Sequence, residues 1–121
     1  MTRPLSLTSE STDWLVLEAL KAASQAYAPY SKSSSGVAIL TSYGAMFGGS
    51  YIENAAFNPS LPPLPAALAG YFAAGKTAGE ITRVVLVEGQ KSMISQYATT
   101  KSTLAAFNGS AKCERFLFEL R

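Results

Sequence analysis

The run Ile81-Thr-Arg-Val-Val-Leu-Val87 limits the possible folds more than any other stretch of the chain. Almost every residue in it is apolar or β-branched, so a strand here has to be covered on both faces. Such a strand sits centrally in a sheet with helices above and below it. The flanking patterns supply those helices. Ser11 or Thr12 is the expected N-cap of a first helix, with Asp13 in its first turn, where a carboxylate suits the positive end of the dipole. Val16, Leu20, Ala23 and Tyr27 then fall on one apolar face. Pro29 closes the segment, because its ring disfavours helical geometry in the preceding residue.

Gly36–Thr41 reads as a buried strand, Ser42-Tyr-Gly44 as a turn, and Ala45–Ile52 as the returning strand of a hairpin. After a proline-rich loop from Asn58 to Pro63, Pro65 is placed for the first position of a helix reaching Ala74, with Gly75 just past its end. Thr99 or Thr100 is the expected cap of a helix ending near Phe107, with Asn108-Gly109 as its stop. Arg115–Leu120 is a last strand. The order α-β-β-α-β-α-β predicts an α/β chain, a three-layer α/β/α sandwich with a mixed β-sheet. Residues 1–10 read as a flexible leader and 11–121 as a single domain, a length suited to one core.

Composition narrows the chemistry. Apolar residues make up 48% of the chain and charged residues 15%, which is globular and not disordered. The net charge of +2 is spread singly, as at Lys91, Lys101 and Lys112, which argues for solvated surface and against a nucleic-acid face. No apolar run is long enough to span a membrane, and the N-terminus lacks the apolar core of a secretory signal. Residues 1–12 match an organelle transit peptide only weakly. Cys113 is the one cysteine and there is no histidine. That excludes a disulfide framework, fits a reducing, cytoplasmic setting, and rules out a zinc shell of imidazole and thiolate. Histidine-dependent nucleophile pairs are excluded with it.

Two segments carry a family resemblance. Ala26-Tyr-Ala-Pro-Tyr-Ser-Lys32 with Ser35-Gly-Val37, and Gly49 to Leu68 with its Glu-Asn-Ala-Ala-Phe-Asn-Pro, resemble the cytidine deaminase family. The match is closest to the zinc-less second domain of its two-domain members, and runs from about Leu17 to the C-terminus. The resemblance implies a cytidine deaminase-like fold. It also implies that the first metal ligand falls on Pro62 and the catalytic glutamate on Leu64. The Pro-Cys-x-x-Cys pair falls near Gln96–Thr100, so Tyr97 and Thr100 stand where thiolates belong. Ser33 replaces the aromatic that stacks on the pyrimidine, and Tyr51 replaces the ribose-binding asparagine, while Glu53 survives.

On this resemblance the chain alone is a pseudoenzyme with no cofactor, zinc being expected only in a partner catalytic domain. Its role would be to complete or stabilise that domain's active site for the conversion of cytidine or deoxycytidine to uridine in pyrimidine salvage. Glu53, Asn54, Ala55, Ala56 and Phe57 would face the partner's pocket. Each has a plainer role open to it: Glu53 and Asn54 as ties between loop and backbone, Phe57 as a core plug. Leu61–Leu64 would fill the vacant metal cavity. The alternative is a free-standing assembly subunit, which the initial Met and single-domain length suit. Homo-oligomerisation is expected in either case, with the alanine-rich helix as one surface. Retained deaminase activity by an unfamiliar route is the third reading.

Overall fold

The computed structural model describes residues 5–8, 13–28, 33–52, 61–92 and 95–120. In chain order these form β1 (Leu5–Leu7), α1 (Trp14–Ser24), β2 (Ser35–Thr41), β3 (Met46–Ser50), α2 (Pro63–Ala73), a single 3₁₀ turn (Ala78–Glu80), β4 (Ile81–Gly89), α3 (Tyr97–Phe107) and β5 (Lys112–Leu120). The sheet order is β1-β5-β4-β2-β3. The expected central strand, β4, lies in the middle, parallel to β5 and antiparallel to β2. β2 and β3 are the expected hairpin, turning at Gly44, whose φ of +89° is a left-handed value that favours glycine.

Each face of the sheet carries a helical layer, so the three-layer sandwich holds. Val37, Ile39, Val84 and Leu86 pack beneath α2 and α3, with Leu64, Leu68, Tyr71 and Leu104. The alternate strand residues Ala38, Val85 and Val87 pack with Leu15, Val16, Ala19 and Ala23 of α1 on the other side. Period-two alternation therefore splits the apolar run of β4 between two cores. Contact at β2 is backbone-close: a Cβ on Gly36 would lie 2.3 Å from the nitrogen of Ala23.

Several boundaries differ from expectation. Leu5–Leu7, within the expected leader, instead pairs antiparallel with β5, satisfying backbone groups that β5 would otherwise expose. Asp13, and neither Ser11 nor Thr12, is the N-cap of α1; its side chain accepts from the Leu15 N–H at 3.0 Å. Ser11 and Thr12 lie outside the described residues. α1 ends at Ser24, before Pro29, because Tyr27 leaves the helix to donate its N–H to the carbonyl of Tyr51. α2 starts two residues early, with Pro62 as N-cap and Pro63 and Pro65 both in its first turn. Gly75 follows its end with φ +80°, as expected of a left-handed stop. α3 starts at Tyr97, so Thr99 and Thr100 lie inside the helix and cap nothing.

Candidate functional site

β3 and β4 run in the same direction, since both are antiparallel to β2. α2 follows β3 and α3 follows β4, so both helices begin at the same end of the sheet, and both lie on the same face. Ligand sites of layered α/β folds lie where strand C-termini meet helix N-termini. All four expected metal-site positions belong to these two helix starts.

Pro62 and Leu64 form the α2 side. Pro62 is extended, with φ −65° and ψ 157°, and makes no side-chain cap. Prolines 62, 63 and 65 lack N–H groups, leaving this helix end few donors for an anion or a ligand. Leu64 is fully buried, its side chain part of the apolar core under α2. A Cβ on Gly49 would stand 2.4 Å from both the Pro63 oxygen and the Ala67 nitrogen, so β3 lies directly against the first turn of α2.

Tyr97 and Thr100 form the α3 side. Tyr97 packs its ring against the same core, with the Lys101 ammonium 5.2 Å from the ring centroid. Thr100 is buried, and its hydroxyl donates back to the Gln96 carbonyl at 2.7 Å. The cap of this helix comes from elsewhere. Glu88, at the end of β4 and only 1% exposed, accepts from the Gln96 N–H at 2.8 Å and the Ser95 hydroxyl at 2.7 Å. The Arg115 guanidinium on β5 pairs with the same carboxylate. A carboxylate suits the positive end of a helix, and here it also ties α3 to two strands. The sequence offered no signal for this group, because Glu88 is simply the polar residue after an apolar run.

Ser35 stands opposite Glu88 in the sheet register, and its buried hydroxyl has no hydrogen-bond partner among the described residues. Ser33 and Ser34 are buried beside it in the chain, and Tyr51 is buried at the end of β3. Glu53, Asn54, Ala55, Ala56 and Phe57 lie outside the described residues. Cys113 is at the other end of the sheet, paired with Val84, and burial raises its thiol pKa above the ordinary value.

A tetrahedral zinc shell needs thiolate, imidazole or carboxylate donors. Proline and leucine supply none, and the Thr100 hydroxyl is already engaged. The side chains at Pro62, Leu64, Tyr97 and Thr100 do not fit zinc. Among the described residues no cluster of three His, Cys, Asp or Glu stands close enough to hold an ion.

The comparisons with known proteins agree on the lineage. The family model of the cytidine and deoxycytidylate deaminase zinc-binding region matches residues 2–101. A cytidine deaminase of Photorhabdus laumondii subsp. laumondii is 53% identical over 109 residues, which cover 90% of this chain and 37% of that protein. One from Yersinia pestis (strain Pestoides F) is 51% identical over 104 residues, 86% of this chain and 35% of that protein. The chain thus spans about a third of the length of the curated relatives it matches. Among solved structures, the cytidine deaminase of Burkholderia pseudomallei superposes with a TM-score of 0.73 at 27% identity, covering 93% of this chain and 87% of that one. That of Mycobacterium leprae gives 0.70 at 26% identity, covering 87% of each chain. Fold, strand order and sequence together show that this chain belongs to the cytidine and deoxycytidylate deaminase family.

Proposed function

We propose that this chain is a non-catalytic deaminase domain that completes or stabilises the active site of a zinc-bearing cytidine deaminase domain. The observation that carries this reading is the content of the two helix starts. Leu64 is packed in the core where the family's acid is expected, and Pro62, Tyr97 and Thr100 supply no soft donor. The Glu88 carboxylate fixes the start of α3 from within the protein, so this end of the fold has no need of a metal to hold it. Fold and lineage are kept while the donors are gone, which is what selection for docking alone would leave.

The chain's coverage of only about a third of its relatives supports the same reading, because those proteins carry further sequence in which the metal centre would reside. On this reading the substrate is cytidine or deoxycytidine, and the partner supplies both the metal and the proton-carrying acid. Glu53 to Phe57 are then the segment that reaches the partner's pocket.

The test is co-purification with the catalytic domain of a matching cytidine deaminase. The expected result is a stable complex whose kcat/KM for cytidine exceeds that of the catalytic domain alone by about tenfold or more. No complex, or a complex with unchanged activity, would remove the reading and favour an independent assembly subunit.

A further inference from the structure

We infer that one water molecule is a resident ligand of this chain, buried between the Ser35 hydroxyl and the Glu88 carboxylate, where it joins β2 to β4 and the start of α3. Every group involved belongs to this chain's own interior, so the water is independent of the deaminase-partner reading. The Ser35 carbonyl accepts from the Tyr51 N–H at 3.0 Å, so the Ser35 backbone points to β3. Toward β4, Ser35 therefore forms a non-hydrogen-bonded pair with Glu88. That arrangement brings side chains closest, with Cα atoms about 4.5 Å apart. Alternation along the strands puts both side chains on the face covered by α2 and α3, where Val37, Ile39, Val84 and Leu86 pack.

Closeness does not make the two side chains partners. Glu88 takes its donors from elsewhere: the Gln96 N–H on Oε1, and the Ser95 hydroxyl and Arg115 guanidinium on Oε2. All of these come from the start of α3 and from β5, so the carboxylate leans away from Ser35. Ser35 is 1% exposed, and its hydroxyl has no hydrogen-bond partner among the described residues. A polar group buried to that degree calls for one. A carboxylate has about four acceptor sites, so Oε1 keeps one for a further donor. Thr100 is buried on the sheet-facing side of α3 with Leu104; it gives its proton to the Gln96 carbonyl and keeps its own lone pairs.

These groups define the ligand. It accepts from Ser35 and donates to Glu88, so it carries both functions. It is uncharged, because Arg115 already balances the carboxylate. It is small, because Ser34, Ser35, Glu88, Gln96 and Thr100 are each no more than 7% exposed. Water meets all of these conditions, and a buried water needs only two to four polar partners.

A high-resolution crystal structure of the chain is the direct test. The expected result is an ordered oxygen within hydrogen-bond distance of both Ser35 Oγ and Glu88 Oε1. In solution, oxygen-17 relaxation dispersion senses water oxygens and not hydroxyl protons, and Ser35→Ala is expected to lose one long-lived water. The same substitution should raise the unfolding equilibrium constant about tenfold, because the water loses an anchor. A Ser35 hydroxyl that donates straight to Glu88, or no ordered oxygen between them, would overturn the inference. So would a dispersion unchanged in Ser35→Ala, or a variant as stable as the native chain.

Discussion

Asp13 closes the first turn of α1 with one carboxylate oxygen and meets Arg83 with the other, 2.6 Å from Nη2. Arg83 also pairs with Glu114, so one guanidinium on β4 joins the start of α1 to β5. The hydrogen bond from Arg83 is the main cause holding the Asp13 carboxyl below its ordinary value, with the Leu15 N–H adding to it and burial opposing. A carboxyl depressed in the folded state stabilises the protein above the ordinary carboxylate pKa and loses that contribution as the pH falls through its folded value. We expect stability to decline below about pH 4 in the native chain and less steeply in Asp13→Asn. The substitution keeps a competent cap and loses the ion pair, costing about 1 kcal/mol or less at pH 7 because both groups are partly exposed. Urea unfolding at a series of pH values measures both effects. Parallel slopes in the two proteins would contradict the assignment.

At the scale of elements, α3 is held by a group outside itself. Its own sequence supplies no capping side chain at Gln96, and its threonines bond inward or lie along the helix. Glu88 provides what is missing and links the end of β4, the first turn of α3 and Arg115 of β5. Truncation to alanine leaves the Gln96 N–H buried without its acceptor and Arg115 without its counter-charge. We expect Glu88→Ala to lower the unfolding free energy by about 2 to 4 kcal/mol. Joint replacement of Glu88 and Arg115 should cost less than the sum of the single changes, since each single change strands the other partner. A strictly additive double-mutant cycle would show that the two act independently. α2 is different: two prolines in its first turn preset helical φ and dispense with the N–H groups a cap would serve.

For the whole molecule, the donor set makes a prediction that fold alone does not. No combination of side chains at the two helix starts offers zinc the soft ligands of its family, so metal binding should not be coupled to folding. We expect the melting temperature to be unchanged, within about 1 °C, by a chelator or by equimolar zinc. A chelator-sensitive transition would mean that a metal is bound in some other way. The sheet as a whole ends differently at its two sides: the short β1 pairs with β5 at one, while β3 is the terminal strand at the other, where Ile52 just past its end pairs with Leu61.

The element order and the central place of Ile81–Val87 were legible in the sequence, because strand burial on both faces leaves a run with no polar alternation. The chemical deficit was legible too: donor atoms belong to residue types, and no arrangement of one cysteine and no histidine makes a soft-ligand shell. Helix starts were less legible, since Asp13, Ser11 and Thr12 are all good capping residues, and the structure uses Asp13, whose carboxylate also meets Arg83. The capping role of Glu88 and the pairing of Leu5–Leu7 with β5 were decided by tertiary structure alone. Each depends on which backbone or charge lies across a gap from residues distant in the chain. Local patterning fixes what a segment can become, whereas sheet order and register decide what it meets.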